Sequence, residues 1–321
     1  MNAASSLPVI AVVGATATGK SAVSLAMARI LGDEHGADLI NAEIINADSM
    51  QFYRGMDIGT AKVPLAERHN IRHHQLDTLD VHEDASVAQY QESARADITA
   101  IRDRGAQPIV VGGSGLYLRA LLDHFDFPGT DPAVRARLEE RAQHEGPGVL
   151  YAELAARDPE AARKIHPRNA KRIVRALEII EVAGSYTSSL PRHEYHQPAV
   201  QVALEVPIDE LDARIAARTD AMFDAGLVDE VRVLEAKGLR DGVTAQRAVG
   251  YAEVLAFLDG AITETEAREL IARNTRRLAR RQDRWFRPDP RIVWVRGPRD
   301  ADDVDRAAHD VLAIARRAAV G

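Results

Sequence analysis

Along the first third of the chain, short runs of apolar and β-branched residues alternate with polar or glycine-rich turns and with apolar positions at helical spacing. Val9 to Val13 is the first such run. A glycine-rich turn follows it, and Ser21 to Leu31 then carries a helical period, so the opening reads strand, loop, helix. Glu43 to Ala47 predicts a second strand that ends at Asp48 and Ser49, and His73 to Leu76 a weaker third. Ser86-Val87-Ala88-Gln89 has the form of a capping box and opens a helix running to Gly105. Pro108 to Val111 predicts a further buried strand, followed by Gly112-Gly113-Ser114-Gly115 and another helix. Strands that alternate with helices in this way imply a parallel sheet covered on both faces.

After Phe127-Pro128-Gly129-Thr130 the pattern changes. Asp131-Pro132 supplies a cap residue and a proline for the first turn, and helical periodicity continues to about Val182 without a strand signal. Strand character returns at Gln201 to Val206, helices follow, one of them opened by the capping box Thr263-Glu264-Thr265-Glu266, and Arg291 to Val295 predicts a last strand. Within the helix from Thr263 to Arg287, Ile271, Leu278 and Trp285 predict an apolar stripe, and Arg273, Arg277, Arg280 and Arg284 a basic face. The expected fold class is α/β: a parallel sheet flanked by helices over residues 1–130 and 200–321, with an all-helical insertion over 131–199.

Composition narrows the chemistry. The 321 residues include no cysteine, which excludes disulfides, thiolate catalysis and Cys-ligated zinc or iron–sulfur centres. The net charge of −7 argues against a protein coated in nucleic acid, but two basic stretches stand out: Arg268 to Arg287, with eight arginines against two acids, and Arg157 to Arg175, with five arginines and two lysines against two acids. Met1 to Pro8 lacks a leader pattern and no apolar run approaches a membrane span, so a cytoplasmic protein without membrane attachment is expected. His73 and His74 make a poor metal site, because neighbours on a strand point to opposite faces.

Gly14-Ala15-Thr16-Ala17-Thr18-Gly19-Lys20-Ser21 satisfies G-x-x-x-x-G-K-[ST] between a strand and a helix, where the phosphate-binding mechanism requires it. Glycines let backbone N–H groups wrap a phosphate, the helix N-terminus adds a favourable dipole, Lys20 reaches outer oxygens and Ser21 can ligate Mg²⁺. A phosphorylated ligand follows, but not which one. The strand ending at Val111 leads into Gly112 to Gly115 rather than into a magnesium-holding aspartate. The carboxylate beside the loop is instead Asp48, and in an open α/β sheet Asp48 and Ser114 should both face the phosphate site beyond the strand ends. Small-molecule kinases, prenyltransferases of free nucleotides and nucleotide-gated RNA binders remain alternatives at this point; ATP turnover would single out the kinase.

Asp48-Ser49 with Gln51 and Tyr53, and then Arg54-Gly55-Met56-Asp57-Ile58-Gly59-Thr60-Ala61-Lys62, resemble the signature of the tRNA dimethylallyltransferase family. His73 to Asp77, Gly112 to Tyr117, Arg172 to Glu178 and Arg247 to Tyr251 fall in the family's order, so the resemblance spans Val9 to about Arg287. It implies a P-loop NTPase-like fold and transfer of dimethylallyl from its diphosphate to N6 of the adenosine 3′ of the anticodon, with Mg²⁺ as cofactor and a monomeric enzyme. Carried over by motif, Asp48 becomes the general base and Ser114 stands at the reaction centre. Gly14, Thr16, Ala17, Thr18, Gly19, Lys20, Ser21 and Arg218 hold the diphosphate. Asp48, Ser49, Met50, Gln51, Arg135, Lys171, Arg172, Arg175, Arg247, Gly250 and Tyr251 meet the tRNA. The chain departs from the pattern with Ala15 and Thr18 for Pro and Ser, Ser114 for Thr, Lys171 for Gln, and Gln75-Leu76 for Leu-Ile.

Overall fold

In the computed structural model, which describes residues 7–35, 42–125, 127, 129–186 and 193–320, the apolar run Val9–Val13 becomes β1, buried at every position. The remaining strands are β2 (Ala42–Asn46), β3 (His73–His74), β4 (Gln107–Val111), β5 (Ala199–Glu205) and β6 (Ile292–Arg296). They form one sheet in the order β3-β2-β4-β1-β5-β6. Every pairing is parallel, with Ile10 of β1 opposite Ile109 of β4 and Val200 of β5. The strands rich in Val and Ile need cover on both faces, and they receive it. Helices α1 (Lys20–His35) and α12 (Val304–Val320) pack Val23, Met27, Val311 and Leu312 on one face; α2 (Val87–Asp103) and α3 (Gly115–Leu122) pack Ile98, Ile101, Leu118 and Leu121 on the other.

Contacts divide the chain into two compact units, residues 1–123 with 193–321, and residues 124–192. The second unit holds α4 (Pro132–His144), α5 (Pro147–Arg157), α6 (Pro159–Lys164) and α7 (Ala170–Ala183) around Leu138, Leu150, Leu154, Ile173 and Leu177. Side-chain caps start three of these helices: Asp131 accepts from the N–H groups of Ala133 and Val134, Asp158 from Ala161 and Asn169 from Arg172. Residues 193–198 lie with the sheet unit, where Asp123 and Tyr195 bridge.

Back in the first unit, α8 (Ile208–Asp224), α9 (Leu227–Glu235), α10 (Tyr251–Leu258) and α11 (Glu264–Phe286) follow β5. They build their own core, into which Tyr53 and Met56 insert. The stripe expected on α11 differs from the observed one. Ile271 is buried, but the face continues through Ala279, Gln282 and Phe286, while Trp285 is 38 % exposed. An α-helix turns 3.6 residues at a time, so a strict seven-residue stripe drifts off the buried face. Trp285 instead lies over the backbone of Gly115, where a Cβ would sit 2.0 Å from its indole. Of the expected basic face, Arg273, Arg277 and Arg284 are exposed, while Arg280 turns to Asp212 at 2.8 Å. β3 is shorter than the run His73 to Leu76 because Gln75 and Asp77 take positive φ angles of 57° and 55°, outside extended geometry. Among the described residues no helix is long and apolar enough to cross a membrane.

Candidate active site

The turn between β1 and α1 closes on itself. Gly14 has φ +127°, and a Cβ there would meet the carbonyl oxygen of Leu204 at 3.0 Å, so both conformation and space demand glycine. The Thr18 hydroxyl and the Lys20 ammonium both donate to the Ala15 carbonyl, at 2.9 and 2.6 Å. Burial pulls the pKa of Lys20 down to about 8; Asp48 opposes that shift and Arg218 reinforces it. Burial also lowers the pKa of Arg218, again against Asp48.

Asp48 follows β2 and is held by Asn46, whose side chain accepts from the Asp48 N–H at 2.9 Å and donates to the carbonyls of Asp48 and Gln75. One oxygen of Asp48 caps the short helix Ser49–Phe52 by accepting from the Met50 N–H at 3.1 Å. Its second oxygen has no protein hydrogen bond among the described residues. Ser114 sits at the cap position of α3 without capping it; its hydroxyl accepts from the Ser49 N–H at 3.1 Å and lies 3.3 Å from the Ser49 hydroxyl. Gly112 permits this closeness, since a Cβ there would fall 2.3 Å from the Ala47 carbonyl oxygen.

A cleft of about 340 Å³ gathers the pieces: Thr16, Ala17, Gly19, Lys20, Ser21, Asp48, Gln51 and Arg218 all line it, together with Thr60 and Arg214. Thr18 is buried within the loop, and Ser114 does not line the cleft; its hydroxyl holds the Ser49 N–H next to Asp48. The segment from Arg54 to Lys62 is a support. Lys62 is buried and donates to Asp57 and Asp77, each at 2.6 Å, and to the Tyr53 carbonyl. Thr60 offers its carbonyl to Gln51 at 3.1 Å and to Arg218 at 3.4 Å.

Two residues absent from the sequence reading complete the frame. Glu230 on α9 accepts from the N–H groups of Asp57, Ile58 and Gly59 and from the Tyr251 hydroxyl. Gln282 on α11 joins Thr16 to Gly113. Neither belongs to a local motif; only their helical, partly apolar settings were visible.

The remaining expected tRNA residues divide by setting. Lys171 and Arg172 are exposed on the first turn of α7, and Arg247 is exposed as well. Arg135 and Arg175 both pair with Glu178, a carboxylate with no exposure, and Arg175 also reaches the Gly129 carbonyl. Met50 is partly buried against the core that surrounds Tyr53. Gly250 supplies a φ of +99° before α10. Tyr251 is wholly buried, so it presents no surface to an RNA; burial first, and Glu230 second, hold its phenol far above the usual range. Among the described residues no three acidic, histidine or cysteine side chains converge as a metal centre. A Mg²⁺ ion would find the Ser21 hydroxyl here and complete its shell with ligand oxygens and water, a habit that suits the ion.

The chain is similar to known proteins over nearly its whole length. The IPP transferase family model matches residues 51–289. The tRNA dimethylallyltransferase of Thermobifida fusca is 58 % identical over 93 % of this chain and 92 % of its own length; that of Kineococcus radiotolerans is 56 % identical over 94 % of each. Among solved structures, the tRNA isopentenylpyrophosphate transferase of Bacillus halodurans aligns with a TM-score of 0.68 at 36 % identity, covering 97 % of this chain and 98 % of that one. A eukaryotic dimethylallyltransferase solved in the course of acting on tRNA aligns with a TM-score of 0.81 at 28 % identity, over 97 % of this chain and 79 % of that one. Sequence agreement over almost the whole length, together with this sheet and loop, means that the chain belongs to the IPP transferase family.

Proposed function

We infer that this chain transfers the dimethylallyl group of dimethylallyl diphosphate to N6 of the adenosine on the 3′ side of the anticodon in tRNA. The observation that carries the reading is a single cleft lined by Lys20, Ser21 and Arg218 on one side and by Asp48 on the other. Relatives more than half identical over nearly their full length are tRNA dimethylallyltransferases.

The chemistry asks for both sides. The adenine amine is a weak nucleophile because its lone pair is delocalised, and it becomes cationic as the bond to carbon forms. The unpartnered oxygen of Asp48 orients the amine, stabilises that charge and accepts the N6 proton, work worth ~10² to 10⁴ in rate. As the N6–carbon bond forms, the allylic carbon–oxygen bond breaks and its electron pair departs on the diphosphate. Loop N–H groups from Ala17 to Ser21, Lys20 and Arg218 are fixed donors for that growing negative charge. Magnesium at Ser21 would add Lewis-acid neutralisation of the same leaving group. A base stacked in an anticodon loop cannot reach such a cleft, so the adenosine is extruded to react. Lys171, Arg172 and Arg247 are exposed cations available to the RNA backbone.

Incubation with Mg²⁺, labelled dimethylallyl diphosphate and unmodified tRNA, followed by nucleoside analysis, should put label on adenosine. Asp48→Ala should lower transfer by ~10² to 10⁴ while tRNA binding by filter retention is kept. Unlabelled adenosine with the wild-type protein, or ATP turnover in its place, would refute the assignment.

A further inference from the structure

We propose that Gln282 is a positioning residue, whose amide fixes the spacing between the phosphate loop and the loop that carries Ser114; the proposal rests on the transferase reading above. Gln282 lies on the buried face of α11 with 8 % exposure, where a polar amide is costly unless both of its ends are bonded. Both are. Its oxygen accepts from the Thr16 N–H at 2.8 Å, and its nitrogen donates to the Gly113 carbonyl at 3.1 Å. The two partners belong to the loops that follow β1 and β4, neighbouring strands of the sheet.

Past the ladder, the Gly112 N–H still reaches the Val12 carbonyl at 3.3 Å, and beyond that bond the Gln282 amide is the side chain that spans the two loops. A Cβ at Gly113 would fall 2.3 Å from the Gln282 amide nitrogen and 3.2 Å from the Gly14 carbonyl oxygen, so the amide is seated directly on the glycine backbone. The orientation of the amide is determined: its oxygen must face an N–H and its nitrogen a carbonyl. From Gly113 the chain passes at once to Ser114, and the Ser114 hydroxyl holds the Ser49 N–H beside Asp48. Gln282 does not line the cleft itself, yet it joins the loop that follows β1 to the loop that carries Ser114. It also occupies the Thr16 N–H, which leaves the diphosphate to the N–H groups from Ala17 onward. Misplacement of reacting groups by about 1 Å costs ~10²-fold in rate, so a residue that sets this gap acts on kcat.

The test uses the full-length protein with Gln282→Met, close in shape but without hydrogen bonds, and Gln282→Glu, which keeps an acceptor for Thr16 and loses the donor to Gly113. Both are assayed with tRNA and dimethylallyl diphosphate at a temperature where circular dichroism shows them folded. Each should lose ~10- to 100-fold in kcat with KM for tRNA within about twofold. Combined with Ser114→Ala, Gln282→Met should slow the enzyme no further than the slower single variant, because both act through one loop. A wild-type kcat in Gln282→Glu, losses that multiply in the double variant, or an unimpaired Ser114→Ala would each overturn the proposal. Wild-type protein that labels no adenosine would instead overturn the reading beneath it.

Discussion

Replacing Glu230 by glutamine changes one atom type in the carboxylate that organises the Arg54 to Lys62 segment. One oxygen accepts from the N–H groups of Asp57 and Ile58 at 3.1 and 2.7 Å; the other accepts from the Gly59 N–H at 3.2 Å and from the Tyr251 hydroxyl at 2.6 Å. An amide keeps one pair of partners and turns an NH₂ group toward the other. Its best orientation keeps the oxygen on Asp57 and Ile58, while the Tyr251 hydroxyl rotates to accept. The Gly59 N–H then faces a donor. An orphaned backbone donor costs about 1 to 3 kcal/mol, and each charge-assisted bond made neutral about 1 kcal/mol more. Because Glu230 and the turn from Asp57 to Gly59 are only partly buried, although Tyr251 is fully buried, water recovers some of this, and the net loss should be about 2 kcal/mol. The damage should also reach the cleft, because Thr60 follows Gly59 and its carbonyl holds Gln51 and Arg218. Equilibrium urea unfolding and steady-state kinetics measure the two effects separately: a lower midpoint, and a KM for dimethylallyl diphosphate raised ~10-fold, about the value of one charge-assisted bond. A stability change below about 0.5 kcal/mol with an unchanged donor KM would refute the argument that Glu230 holds this turn in place.

Two further outcomes depend on pH. Lys20, with its pKa near 8 in the free protein, should take up a proton when an anionic diphosphate fills the loop, so above that pH affinity for inorganic pyrophosphate should weaken by up to about tenfold per pH unit beyond the ligand's own titration. Calorimetry in buffers of different ionisation enthalpy reads the proton directly, Lys20→Met supplies the baseline, and equal pH dependence in the two proteins would contradict the reading. His74 contacts Asp97 at 3.2 Å and Glu43 at 2.6 Å, and the hydrogen bond to Asp97, followed by that to Glu43, raises its pKa against the opposing effect of burial. Its stabilising contribution is therefore full below the ordinary histidine pKa of about 6.5 and is lost as pH rises through the higher folded value. The difference in urea midpoint between wild type and His74→Gln should shrink across that window, and a difference that grows with pH would reverse the assigned sign.

The elements that were legible in the sequence are those whose cause is local. Val9 to Val13 reads as a strand because it is buried on both faces of the sheet, and Thr263 to Glu266 reads as a helix start because its reciprocal cap lies within four residues. The phosphate loop is legible for the same reason: Gly14, Lys20 and the start of α1 are contiguous. Boundaries moved by a residue or two where pairing decided them, as at β5, which begins at Ala199 beside Val9. The framework of the site was hidden because its bonds span the chain. Glu230 meets residues 57 to 59, and Gln282 meets Thr16 and Gly113; alone, each is an ordinary polar residue on an amphipathic helix.

That division clarifies the segment from Arg54 to Lys62, whose charges look as if they should touch a ligand. Lys62 is enclosed by Asp57, Asp77 and the Tyr53 carbonyl, and the N–H groups of Asp57, Ile58 and Gly59 are taken by Glu230. The segment lines the cleft with Thr60 and Ala61, and the Thr60 carbonyl is aimed at Gln51 and Arg218. Arg218 needs such an anchor. Burial makes its charge costly, and a fixed acceptor on one side leaves the rest of its planar fork directed at whatever anion enters. The long signature is thus backbone support for Arg218, and in the proposed transfer the ion pairs of Lys62 and the hydrogen bonds of Glu230 would hold that arginine in place before a diphosphate binds, so that little reorganisation is left for the step in which the carbon–oxygen bond breaks.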